Sequence, residues 1–441
     1  MKRRMFLTKS AGVIALGAVG CANDKSPFDP SSKTGSVAGF VSDSEGKGIT
    51  DVKVVISGID VTKKTVTDTS GKFSFQLSKN GEYTIYFSKT GYNLNPSTQK
   101  IVVANEKSFV VNVIGVINNT NPGIIKNTLG KTGIQVSKFG FGSHTLDPYT
   151  KNYQLRDYIS REAIDRGINI FDVYDDCAGY ANTGRYLAPY INDVVVSTYI
   201  NAEESDPEKE LDRIRTAFNK DCIDLIRTHI WTRDNKNWKN WETLFSLRDK
   251  GKIRAVGIPI HAVGVGTNIN DGTVLPNDLG PVLEDYSNDL DFVVFPYNFY
   301  HNIGWPPEWH PEGWAPIAQI LREKNIGVIT MKPFAGDYYV STLTQAAKTV
   351  NPDISFHQAA LRFVQNSGIN PDTSFVGMNS FNELLDNIEA FYDPIEKPGE
   401  KELLDSVRAV AAKTAPKVLP EHYKFLNSWA PKNVGGDPSV M

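Results

Sequence analysis

The sequence predicts an α/β protein, a (β/α)8 TIM barrel with a separate all-β sandwich in front of it. Three observations carry that prediction. Short runs of alternating apolar and polar residues recur from Gly35 to about residue 115, separated by Gly, Asp and Asn turns. From Asn127 onward, eight apolar runs alternate with helical patterns over about 270 residues, the grammar of a parallel sheet closed into a barrel. Between the two lies a stretch of neither kind, "GVINNTNPGIIKNT".

The 441 residues are enough for two or three domains, and 40% hydrophobic with 22% charged residues is ordinary for globular protein. A formal charge of −3 argues against a basic nucleic-acid surface. The leader, residues 1–21, reads as targeting sequence. "KRRMFLTKS" places Arg3 and Arg4 ahead of Phe6, Leu7 and Lys9, which resembles a twin-arginine export signal. "AGVIALGAVG" follows, too short to span a bilayer, and ends at Cys21 after small residues. That arrangement resembles a lipoprotein cleavage site, with Cys21 as the acylated N-terminus. The expectation is export to the cell envelope or periplasm with a membrane anchor through lipid on Cys21. Residues 22–34, "ANDKSPFDPSSKT", are a polar tether.

The sandwich is expected over 35–115, with strands at "SVAGFVS", "VKVVISG", "KTVTDT", "KFSFQLS", "EYTIYFS", "QKIVVA" and "FVVNVIG". In "TDTSGKFSF", Asp68 can close an Asx-turn and Gly71 can take positive φ. The set resembles the carboxypeptidase regulatory-like domain, a transthyretin-like or Ig-like sandwich. Either a structural spacer or a carbohydrate-adhesion module fits that resemblance.

After a linker at 116–126, the barrel is expected over 127–392. Its strands are "FGFGSH", "INIFDVY", "DVVVSTYI", "CIDLIRTHIW", "IRAVGIPIH", "DFVVFPYN", "GVITMKPF" and "TSFVGM". "SDPEKELDRIRTAF" carries a Ser205/Glu208 capping box with Leu211, Ile214 and Phe218 on one face. A helix-prone tail, 393–441, is expected to pack outside the barrel. Cys177 and Cys222 fall at opposite ends of the barrel. A strand of about six residues spans roughly 20 Å, beyond disulfide reach, so both are expected to be free.

The stretches "TLGKTGIQVSKFGFGS", "REAIDRGINIFDV", "DCIDLIRTHIW", "GKIRAVGI", "FVVFPYN" and "FVGMNSFNELLDNIEA" occur in order and together resemble the aldo/keto reductase superfamily. The resemblance implies carbonyl reduction with NADP or NAD, in which a tyrosine hydroxyl acts as acid–base. A phenol with pKa near 10 is a reluctant acid–base at neutral pH, so a neighbouring lysine held by an aspartate tunes it, and a histidine orients the carbonyl. Asp172 falls at the family's aspartate and His229 at its histidine. For the tyrosine two positions stay open: Tyr180, in "YANTGRYLA", and the place five residues after the aspartate, which is Cys177.

The lysine place holds Tyr199. Arg227 lies two residues before His229 and shares its side of the strand, so it faces the barrel interior, where an arginine needs an anion such as Asp172. It either supplies the missing charge or forms a structural ion pair. At the places that hydrogen-bond a nicotinamide amide in the family, this chain has Pro259, Ile260 and Val294. Each buried amide group left unpaired costs about 1–3 kcal/mol. Ser380, Asn379, Asn387 and Lys332 form the candidate cofactor-binding set. Asn379 stands where an arginine usually meets the 2′-phosphate, and the helix N-terminus there can hold an anion.

His144, His229, His261, Asp175 and Asp176 are also expected at the barrel mouth, but without HxH or HExxH spacing no metal site is assigned. The loop "YHNIGWPPEWHPEGW" reads as an aromatic lid or as a self-packed loop. Three functions follow: a reductase with eroded catalytic positions, a repurposed barrel binding a small polar or carbohydrate ligand at its mouth, and a metal-dependent hydrolase.

Overall fold

In the computed structural model the described residues are 35–143 (apart from 59–60, 90–91, 104–107 and 118–123), 153–173, 187–200, 206–228, 235–259, 286–299 and 315–418, with a few isolated positions between them. The leader, the tether and residues 419–441 lie outside them.

The sandwich has eight strands: β1 (Gly35–Ser42), β2 (Lys53–Gly58), β3 (Val61–Val66), β4 (Lys72–Leu77), β5 (Gly81–Ser88), β6 (Tyr92–Asn95), β7 (Thr98–Val103) and β8 (Ser108–Ile117). They form two sheets, ordered β4-β1-β8-β6 and β3-β2-β5-β7. β6, "YNLN", has no counterpart in the sequence reading, because four residues with two asparagines give no alternation to detect. β4 alternates strictly between exposed and buried residues, with Phe73, Phe75 and Leu77 directed into the core. The Phe73 ring lies where a side chain on Gly39 would be, so the glycine is required there. The Asp68 turn is as expected: its carboxylate accepts from the Ser70 and Lys72 N–H groups at 2.8 and 2.9 Å, and Gly71 has φ of 80°.

β2 and β5 are buried on both faces, unlike β4. Val54, Ile56, Ile85 and Phe87 fill the sandwich core. Val55 and Tyr86 point the other way and join the core of the barrel. Their neighbours there are helices α1 (Tyr153–Asp165) and α7 (Phe381–Tyr392). The Tyr86 ring packs edge-on against Phe381 at 5.8 Å, Lys53 reaches Glu162 at 3.3 Å and also Asp165, and Thr98 donates to Asn382. The sandwich is therefore seated on the barrel.

A hairpin of β9 (Lys126–Thr128) and β10 (Gln135–Ser137) precedes the barrel. The barrel closes through eight parallel strands: β11 (Phe139–Gly142), β12 (Ile170–Val173), β13 (Val195–Tyr199), β14 (Ile223–Arg227), β15 (Ile253–Pro259), β18 (Phe292–Pro296), β19 (Gly327–Met331) and β20 (Thr373–Gly377). These are the eight runs read from the sequence. A two-residue ladder, β16 (Gly266–Thr267) with β17 (Val274–Leu275), lies between β15 and β18. Inside, Ile170, Val195, Leu225, Phe292, Ile329 and Phe375 pack on Leu129, Ile134 and Val136 from the hairpin segment.

Around the barrel run α1, α2 (Pro207–Phe218), α3 (Asn235–Asp249), α4 (Ala315–Glu323), α5 (Asp337–Val350), α6 (Phe356–Gln365) and α7, followed by α8 (Glu400–Val418). α2 buries Leu211, Ile214 and Phe218 as expected, but its cap is Asp206, not Ser205. Pro207 occupies the first helical position, so the residue before it caps, and Asp206 accepts from Glu208 N–H at 3.0 Å. α8 packs on α5 and α6, fixed by the Arg362–Glu400 ion pair.

Candidate functional site

Strand parity builds the site. Ile170, Val195 and Leu225 face the interior, so Asp172, Ser197, Tyr199 and Arg227, two or four residues further on, face it too. The register sets Asp172 level with Ser197 and Tyr199 level with Arg227. Arg227 is 1% exposed, and its Nη1 lies 2.7 Å from the Asp172 carboxylate and 2.7 Å from the Ser197 hydroxyl. The Ser197 hydroxyl lies 3.4 Å from the same carboxylate oxygen, and Ser143 donates to the Asp172 carbonyl. A guanidinium removed from water needs such a counter-ion and donor–acceptor partners to be tolerated. Tyr199, level with Arg227, is half-buried. Ser197 was not singled out in the sequence, although its position two residues before Tyr199 is the signal that would have found it.

On β15 the interior is lined by small or apolar groups. Gly257 leaves room for the Phe292 ring, and Pro259 pairs in register with Val294; both are buried. Neither side chain can donate or accept a hydrogen bond, and Pro259 has no N–H.

The candidate cofactor-binding residues lie further round the mouth. Lys332 follows β19 with φ of 55°, and its carbonyl accepts from the Asn298 amide and the Ala335 N–H, each at 3.0 Å. At the start of α7, Ser380 is the N-cap and accepts from Glu383 N–H at 3.2 Å. The Glu383 carboxylate in turn accepts from Asn379 N–H at 2.7 Å, a reciprocal arrangement of the capping-box kind. The helix terminus thus already holds an anion, its own. Asn387 is 2% exposed on α7.

Tyr180, Cys177, His229, Ile260, His144, His261, Asp175, Asp176 and the tryptophan-rich loop lie outside the described residues. Among the described residues no group of three or more His, Cys, Asp or Glu is placed to hold a metal ion. Cys222 is a free thiol whose pKa burial pushes up.

Residues 138–398, more than half of the chain, match the aldo/keto reductase family. The chain belongs to that family. Residues 36–114 match the carboxypeptidase regulatory-like domain. Among solved structures, the chain is similar to the aldo-keto reductase AKR11C1 of Bacillus halodurans in its apo form, at 19% identity and a TM-score of 0.48, over 64% of this chain and 96% of that one. It is also similar to the aldo-keto reductase PA4992 of Pseudomonas aeruginosa, described as putative, at 17% identity and a TM-score of 0.46, over 61% and 96% of the two chains. No curated protein sequence matches. Aldo/keto reductases typically use NAD(P)H.

Proposed function

We propose that this aldo/keto reductase-family barrel no longer reduces carbonyls with a nicotinamide and instead binds a small polar or carbohydrate ligand at its mouth. The observation that carries the reading is the self-capped start of α7. Glu383 takes the Asn379 N–H at 2.7 Å and Ser380 is occupied as the cap, so a nucleotide phosphate would meet a carboxylate where it needs donors. The residues at the nicotinamide end do not fit that group either. The side chains of Pro259 and Val294 offer its amide no hydrogen-bonding group. Tyr199, partly exposed next to the buried Asp172–Ser197–Arg227 cluster, presents a hydroxyl suited to a hydroxyl-rich ligand. The leader supports export by a twin-arginine route and a lipid anchor on Cys21, placing the protein at the cell envelope.

Titration with NADPH and NADH, followed by nicotinamide fluorescence, tests the reading. No saturable binding is expected below ~100 µM, about −5.5 kcal/mol; saturation below that concentration overturns it. A thermal-shift series with monosaccharides and sugar acids is expected to find a stabilising ligand.

A second reading has one observation in its favour, the contact of Arg227 with Asp172 at 2.7 Å. It brings a cation from β14 to the aspartate in place of one from β13. In that reading Tyr180 is the acid–base, His229 orients the carbonyl, Asp172 supports both and Arg227 supplies the charge. Turnover of an aldehyde with NADPH, abolished by Tyr180→Phe, would establish it.

A further inference from the structure

The outer face of sheet β4-β1-β8-β6 lies on the side of the sandwich away from the barrel, because the other sheet carries every residue that touches α1 and α7 described above. On β8, Val110, Ile114 and Val116 stand on this outer face at 70%, 52% and 57% exposure, although the alternate positions Val111 and Val113 are buried in the core. The register sets Ala38 of β1 beside Val110 and Phe40 beside Asn112, so the apolar groups surround one amide on β8 and give way to Ser74 and Gln76 on β4. The chain carries 50 acidic residues, yet none falls on the described outward positions of β4, β1 and β8; the charged residue there is Lys72. An exposed apolar stripe without carboxylates is uncommon on a solvated sheet and marks a contact surface.

We propose that this face lies on a lipid bilayer, so that the protein touches the membrane through the sandwich as well as through its anchor. The proposal rests on the reading of Cys21 as the acylated residue. Thirteen residues, 22–34, separate Cys21 from Gly35, which begins β1 in this same sheet. Fully extended they reach at most about 45 Å, and the strand they join is the neighbour of β8. The face nearest in sequence to the anchor is therefore the apolar one. Its lack of acidic groups avoids repulsion from anionic headgroups. The barrel, seated on the opposite sheet, would be held with the sandwich between it and the membrane.

The test uses residues 22–441, which keep every described residue and lack Cys21. Flotation with vesicles of phosphatidylethanolamine and phosphatidylglycerol should carry this chain upward without any acyl group. The variant Val110→Asp/Ile114→Asp/Val116→Asp should partition at least about tenfold more weakly with an unchanged melting curve, since all three side chains are exposed. Failure of the unsubstituted chain to float, or equal flotation of the variant, overturns the proposal. So does sedimentation showing a dimer that the same variant dissolves, because the face would then meet a second copy. Palmitate labelling of the full chain and its Cys21→Ser form reads the anchor separately. Loss of the anchor reading with flotation intact removes the tether argument and leaves the surface.

Discussion

Asp172 and Arg227, on adjacent barrel strands, form an ion pair of 2.7 Å with the arginine 1% exposed and Ser197 bridging them. Removing one partner strands a buried charge, at a cost of about 3–5 kcal/mol, whereas removing both together is often close to neutral. Arg227→Met and Asp172→Leu are each expected to lower urea-unfolding stability by that amount. The double variant Asp172→Leu/Arg227→Met should be more stable than either single one. A double loss equal to the sum of the two would refute Asp172 as the counter-ion.

Gly257 makes a second prediction about the same interior. A Cβ there would overlap the Phe292 ring, itself fully buried. Gly257→Ala is expected to cost about 1–3 kcal/mol through overpacking. Phe292→Leu in that background should recover part of the loss, read as a rise in melting temperature over the single variant.

Much of this interior was legible before the structure. Period-two parity is enough to put Arg227 on the same inward side as His229, and an inward arginine asks for an anion, which points to Asp172. The start of α7 was less well read. The Ser380–Glu383 spacing spells a capping box, and it is this glutamate that takes the helix terminus where an external anion is otherwise expected. The seating of the sandwich was not legible. "VVISG" reads as a fully buried strand whether its second face meets a sheet or a helix. Tyr86 and Phe381 are brought together by tertiary folding alone, with no local signal at either end.

Asp386 on α7 ties this helix to α6. Ser355 and Gln358 each donate to its carboxylate at 2.9 Å, and His357 Nδ1 lies 3.4 Å away. Burial alone would push the carboxyl up, but hydrogen bonds from His357, Ser355 and Gln358 outweigh it and hold the pKa below the usual aspartate value. A folded pKa below the unfolded one stabilises above the unfolded value, and that contribution is lost as pH falls through the folded value. Wild type should therefore exceed Asp386→Asn in stability at about pH 6, and the gap should close below about pH 4. Melting curves across that range check the sign; a gap that widens with acid would exclude it.

Tyr86, with Val55, carries the sandwich into the core of the barrel. It is 7% exposed, and its partner Phe381 is fully buried. Domains joined by a small polar interface move independently, whereas a shared apolar contact couples their unfolding. Calorimetry of the intact chain is accordingly expected to show one transition for residues 35–418. Tyr86→Ala should remove about 3–5 kcal/mol of packing and split that transition in two, because it deletes the larger of the two sandwich side chains, Tyr86 and Val55, that enter the barrel core. Lys53→Ala is the control. Its ion pairs to Glu162 and Asp165 are on a side chain 42% exposed, and exposed pairs contribute about 0–1 kcal/mol, so the single transition should persist. Were the lysine change to separate the transitions while the tyrosine change did not, the coupling would be electrostatic, and the shared core would not be what joins the two parts.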